Sequence, residues 1–268
     1  MSRSPVFAGS FYPADAGVLW EEVSALSPLV KEEDKEEIIG GLVPHAGYLY
    51  SGRVAGEVFG RIKARQTFVI IGPNHTGEGH RFSLSMESWI TPIGGVKTDI
   101  PLAKALKRST ALIVEDVSAH SGEHSIEVQL PFIKRFFPES MIVPLCVASA
   151  SVSELKETAE AIVKAAGEVG RDIAVLASSD MTHYETRCLA SAKDKHAIDA
   201  LLSLDPERLA ETVAERDISM CGWAPSVMML YAARAMGAVN ARLLKYADSG
   251  EVTGNTSEVV GYAGVIVS

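Results

Sequence analysis

The chain has 268 residues, 47% of them hydrophobic, with a net charge of −9, so it can bury a sizeable core and is not a disordered acidic tail. An acidic chain without a basic stripe is a poor match for nucleic acid or an anionic membrane surface, and no apolar run is long enough to span a bilayer. The first residues lack the basic region and apolar stretch of a secretion signal, so the expected location is cytoplasmic. The three cysteines, Cys146, Cys188 and Cys221, are far apart and odd in number, which argues against a disulfide framework.

In chain order, the dense charge run at 31–37 reads as a solvated loop or helix end. An apolar strand is expected over 37–43, ending in Pro44-His45-Ala46-Gly47, and a helix over 54–63. A β-branched strand over 67–71 runs into Gly72-Pro73-Asn74-His75. Helical spacing follows at 102–107 and at 126–136, the second closed by Pro138. The segment 141–147 reads as a strand, and 152–168 as a long amphipathic helix capped by Ser151 or Ser153. Another buried strand, 173–177, runs into Ser178-Ser179-Asp180-Met181-Thr182-His183. Helices follow at 191–202, from Asp205-Pro206, and at 225–236, and late strands at 243–246 and 259–267. Strands alternating with helices imply an α/β fold with a mostly parallel or mixed sheet covered on both faces, and no linker divides the chain, so 1–268 reads as one domain.

The chemistry concentrates where three strands run into His-containing turns, at His45, His75 and His183. Ligands of open α/β sheets bind beyond the carboxyl ends of the strands, where residues from several strands converge. Cys221 is a fourth candidate, because Pro225 places it just ahead of a helix whose N-terminus favours a thiolate. Cys146 reads as strand-buried and Cys188 as a turn residue. The run from His120 to His124 matches the His-x-x-Glu-His pattern of inverted zinc peptidases, but Ser121 and Gly122 weaken the continuous helix that pattern needs. Glu123 and His124 are expected to line the pocket or orient a ligand instead. No phosphate-binding glycine loop and no nucleophile elbow are present.

The motifs Ala8-Gly9-Ser10-Phe11-Tyr12-Pro13, Val43-Pro44-His45-Ala46-Gly47-Tyr48, Gly72-Pro73-Asn74-His75, Gly122-Glu123-His124-Ser125-Ile126-Glu127, Ser178-Ser179-Asp180 with His183, and Cys221-Gly222 with Pro225 occur in this order. Together they resemble the MEMO family, named for a mediator of ErbB2-driven cell motility. The resemblance implies a three-layer α/β sandwich with a mixed, mostly parallel central sheet, like that of the class III extradiol ring-cleaving dioxygenases. It implies a metal trio of His45, His75 and Cys221, in which Cys221 takes the place of the dioxygenase carboxylate. The implied metal is iron(II) or copper, with zinc also possible, and a thiolate, being softer than a carboxylate, favours copper(I) or zinc. The implied activity is that of a metal-dependent oxidoreductase acting on a small substrate, with His183 as acid/base, Asp180 as its orienter, and Tyr48, Asn74, Glu123 and His124 lining the pocket. The alternative is a non-catalytic module that binds a peptide or protein partner. Phosphopeptide recognition has little to draw on, since Arg53 and Arg81 are the only cations near the motifs.

Overall fold

The structure, a computed structural model, describes residues 2–268. In chain order the strands are β1 (Ser2–Arg3), β2 (Gly40–Val43), β3 (Thr67–Pro73), β4 (Phe82–Leu84), β5 (Ser88–Thr91), β6 (Gly94–Val96), β7 (Ile113–Glu115), β8 (Met141–Val147), β9 (Ile173–Ser178), β10 (His183–Glu185), β11 (Ala241–Asp248) and β12 (Val259–Val267). The helices are α1 (Ala16–Leu26), α2 (Tyr48–Arg61), α3 (Ile100–Ser109), α4 (Ser118–Ser121), α5 (Leu130–Phe136), α6 (Val152–Val169), α7 (Arg187–Leu202), α8 (Pro206–Glu215), α9 (Trp223–Ala235) and α10 (Gly250–Thr253).

Strands β2, β9, β3 and β8 are mutually parallel and form the centre of a large mixed sheet. Both margins are antiparallel. On one side β12 runs against β2 and pairs with β11 and β10. On the other, β4 runs against β8 and carries β7. A small separate sheet joins β1, β5 and β6. Among the described residues no helix is long and apolar enough to cross a membrane.

The central strands are continuous apolar runs because both of their faces are covered. Successive side chains of a strand point to opposite faces, and here they enter two different cores. Phe68 and Ile70 of β3, with Ala174 and Leu176 of β9, join the core formed with α1, α2 and α5. Val69, Ile71, Val175 and Ala177 join the core formed with α3, α6, α7, α8 and α9. The result is helix, sheet, helix: the three-layer architecture expected from the sequence.

The strands at 141–147 and 259–267 lie where the sequence pattern puts them, and Ser151 and Glu154 form a reciprocal capping box on α6. Elsewhere packing overrode local pattern. Helix α2 begins at Tyr48 rather than at residue 54, because Gly52 and Gly56 let it lie against α1. A Cβ on Gly56 would meet the Leu26 carbonyl oxygen at 2.3 Å. The expected helix over 126–136 is a 3-10 turn, Glu127–Gln129, followed by α5, because Pro131 cannot donate into a continuous ladder. Helix α1, capped by Asp15 on the Val18 amide, and the short strands β4 to β7 and β10 were not legible as periodic runs.

The two-faced burial of the sheet can be tested at adjacent positions. Ile70→Ala and Ile71→Ala should each cost about 2–5 kcal/mol in denaturant unfolding, since each deletes a fully buried branched side chain. A cost below about 1 kcal/mol at either would mean that one face is wet.

Candidate metal centre

The parallel centre of the sheet sends β2, β3 and β9 toward one edge, and the candidate residues lie just beyond it. His45 follows β2, His75 follows β3, Ser178 ends β9, and Ser179 and Asp180 follow it. Cys221 arrives from the loop between α8 and α9. Atoms of His45, His75 and Cys221 that can bind a metal all lie within 4.8 Å of one another. The His45 Nε2 to Cys221 Sγ distance is 3.3 Å. Two ligands of one tetrahedral ion, at typical metal–nitrogen and metal–sulfur lengths, would be about 3.6 Å apart.

Hydrogen bonding fixes which nitrogen of each ring is free. Ser178 Oγ donates its proton to the Ser125 carbonyl at 2.6 Å, since that oxygen can only accept. It must therefore accept from Gln129 Nε2 at 2.9 Å and from His45 Nδ1 at 2.9 Å. His45 thus carries its proton on Nδ1 and presents a lone pair at Nε2, facing the sulfur. His75 behaves the same way: its amide and its Nδ1 donate to Glu123 at 2.6 and 2.9 Å, which leaves Nε2 free. Anchoring one ring nitrogen while the other is free is how metal-binding histidines are held. Gln129 is itself fixed by donating to the Pro44 carbonyl at 2.9 Å.

The electrostatics follow from burial. His45 is buried, and desolvation together with the charges of His124, His75 and His183 pushes it well below the usual imidazole range, so it is neutral. Burial works to raise the Glu123 carboxyl, but the hydrogen bond and charge of His75 and the amides of Ser125 and His75 outweigh it and hold Glu123 at about 2. Asp180 is raised to about 6 by burial, against the pull of the His45 amide. For Cys221 the expectation from the helix terminus is overturned. Burial and the nearby Asp180 carboxylate push its thiol well above the ordinary range, so without a cation it stays protonated. Its sulfur accepts the Asp180 amide at 3.3 Å, and an adjacent metal ion is what would favour the thiolate.

Gly222 is what lets Cys221 approach β9. A Cβ there would lie 2.3 Å from the Ser178 carbonyl oxygen and 2.4 Å from Ser179 Cβ. The Gly222 amide donates to Ser179 Oγ at 2.9 Å.

Of the other expected site residues, Glu123 orients His75, and the ring of His124 stacks on His75 at 4.6 Å and meets His45 edge-on at 5.2 Å. His183 is half-buried, and its Nδ1 donates to the Ser219 carbonyl at 3.0 Å, leaving Nε2 free. Three roles need correction. Asp180 does not orient His183: its carboxylate accepts the His45 amide at 2.8 Å and fixes the turn after β2, while Ser219 holds the His183 ring. Tyr48 is a core residue rather than a lining one. Its ring packs between Tyr12 and Phe132, and its hydroxyl donates to the Val128 carbonyl at 2.7 Å. Asn74 spends its side chain on the turn, accepting from Thr76 and Gly77 and donating to the Glu78 carbonyl, so it shapes the loop that presents His75.

The inverted-peptidase pattern fails because α4 stops at Ser121. His120 is buried against Trp89, with Nε2 donating to the Ser83 carbonyl at 3.0 Å. Sequence reasoning also missed Glu127. This fully buried carboxylate accepts from Arg3, the Val6 and Phe7 amides and the Tyr12 hydroxyl, and so pins the N-terminal segment that lays Phe7 and Phe11 on His124. An acid buried beside a glycine-bounded turn leaves no periodic signal; only its place in the motif marks it.

Fold and site together define an α/β protein with a His-His-Cys pocket at the carboxyl edge of a parallel sheet centre. The family model described as "Memo-like protein" matches residues 3–266. MEMO1 family proteins of Methanopyrus kandleri and Ignicoccus hospitalis are 42% and 43% identical, over 99% of this chain and 99% of the first, and 98% of this chain and 97% of the second. One from Methanocaldococcus jannaschii is 40% identical over 99% of this chain and 98% of its own length. The chain belongs to the MEMO family. A crystal structure of an uncharacterized protein from Escherichia coli K12 shares the fold, with a TM-score of 0.60 at 12% identity over 85% of this chain and 99% of that one.

Two outcomes test this environment. In metal-free protein a thiol reagent should modify exposed Cys188 first, Cys221 slowly and Cys146 only on unfolding. Rapid modification of Cys221 ahead of Cys188 would contradict its raised pKa. His120 is lowered to about 4, chiefly by burial, from an ordinary value of 6.5. The unfolded chain therefore takes up this proton first, and the stability His120 contributes is present above about pH 6.5 and lost as pH falls toward 4. Relative to His120→Gln, wild type should lose about 3 kcal/mol across that window in urea titrations. Parallel curves for the two proteins would rule this out.

Proposed function

We propose that this protein binds iron(II) or copper through His45 Nε2, His75 Nε2 and Cys221 Sγ, and that it acts as a metal-dependent oxidoreductase on a small substrate. The observation that carries the reading is the convergence of two imidazole lone pairs, each fixed by a hydrogen bond at the opposite ring nitrogen, on one cysteine sulfur. A mixed nitrogen and sulfur set accepts copper, iron or zinc, and three protein ligands leave open positions. A bound redox metal would supply electron exchange with dioxygen or a substrate at those positions.

The protein's own groups have separate tasks. Ser178 and Glu123 hold the two rings in the required tautomer and orientation. The Asp180 amide donates to the Cys221 sulfur and steadies it. His183, held at Nδ1 by Ser219, offers Nε2 as the proton acceptor. His124 and the two phenylalanines on it narrow the approach to His75.

The test loads wild type, His183→Ala and Cys221→Ala with iron(II) or copper(I), measures bound metal, and follows oxygen consumption with catechols and simple reductants. His183→Ala should retain metal and lose oxygen consumption. Cys221→Ala should weaken metal binding by more than about tenfold, as it removes a ligand rather than a supporting group. If wild type retains metal but consumes oxygen no faster than the free ion, the oxidoreductase reading fails. If no metal is retained, the reading fails at its first step.

A further inference from the structure

We infer that the cavity beside the Cys221 loop binds a small apolar molecule that is neutral or cationic. The cavity is about 520 Å³, within the range of small-molecule sites. Its walls include Val213 and Ala214 of α8, Asp217, Ile218 and Cys221 of the loop, and Trp223 at the start of α9. The loop that forms it carries two groups already assigned to the metal centre: Cys221, whose sulfur faces His45, and Ser219, which holds the His183 ring. Taking the bound molecule as the substrate of that centre rests on the function proposed above; the cavity's own binding does not.

The ligand class follows from the lining. It is largely aliphatic with one indole, and Asp217 is its single charged residue, with no Lys, Arg or His. An anion entering it would lose hydration and meet no Lys, Arg or His among the lining residues, whereas a neutral or ammonium head loses less there and has Asp217 as the one charged residue of the wall. Lys193 does not supply the missing positive charge, because its ammonium is held by Glu185 and by the main-chain carbonyl of Asp217 at 2.6 and 2.7 Å. Asp217 sits in the left-handed region with φ 48°, the conformation that ends α8, where the Ile218 amide donates to the Val213 carbonyl at 3.0 Å. The Lys193 bond to its carbonyl helps to hold it there.

The experiment titrates benzylamine, benzyl alcohol and benzoate, matched in size, into metal-loaded and metal-free protein by ligand-observed NMR, with bound metal measured separately. Benzylamine should bind best, and benzoate weaker by about tenfold or more. Asp217→Asn, which tolerates the same backbone conformation, should bring benzylamine down to the level of benzyl alcohol. Ala214→Trp, which fills the cavity from its exposed rim, should abolish binding of all three. Trp223 fluorescence, with Trp223→Phe as control, locates the bound probe. Equal binding of benzoate, or binding that survives Ala214→Trp, overturns the inference. If the amine preference and its loss in both variants persist in a protein that retains no metal, the metal assignment falls and the cavity site stands.

Discussion

The hydroxyl of Ser178 joins the parts on which the site depends. It ends β9, gives its proton to the Ser125 carbonyl, and receives protons from Gln129 and His45. It thereby ties the first parallel pair of the sheet to the segment between α4 and α5, and sets the tautomer of a buried imidazole. The register that places Val43 beside Ser178 brings the chain after β2 within reach of this hydroxyl. Without that pairing His45 could present either nitrogen, and the lone pair facing Cys221 would not be defined.

Close backbone approach is the second constraint. Gly72 brings the end of β3 against Ser125 and Ile126, where a Cβ would meet Ser125 Oγ at 2.4 Å, and Gly222 does the same for the Cys221 loop against β9. These glycines carry no chemistry. They let three strand ends and a loop crowd into the volume that two imidazoles and a thiol can share. Around them, buried acids do the supporting work. Glu123 holds His75, Asp180 holds the turn after β2, and Glu127 pairs with buried Arg3 and fastens the N-terminal segment. Each is satisfied by amides or a cation, which is why a pocket with so many titratable groups can be buried at all.

His45, His75 and Cys221 were legible from the sequence because each lies in a turn just after an apolar strand or just before a helix, and such turns converge in an α/β fold. The same logic brought in His183, and the family resemblance placed Asp180 beside it. The pairing of Asp180 with His183 that the resemblance implied is not made: the Asp180 carboxylate takes the His45 amide and Ser219 holds the His183 ring. Tyr48, expected in the pocket from the resemblance, lies instead at the start of α2 with its ring turned into the helical layer. Sequence reasoning expected a thiolate at Cys221 from a helix terminus, and missed that burial and a carboxylate act on the sulfur more strongly.

The sequence by itself determined the class of fold and the central strands, since continuous apolar runs between helical segments have few other solutions. It also determined the chemical character of the pocket, since histidine and cysteine at strand and helix ends are few and conspicuous. Only the tertiary structure decided which nitrogen of each ring is free, what Asp180 and Glu127 hold, and that a cavity of one charge sign adjoins the Cys221 loop. Those features depend on contacts between residues such as Ser178, Ser125 and Gln129, or Arg3 and Glu127, that are distant in the chain and have no local pattern to announce them.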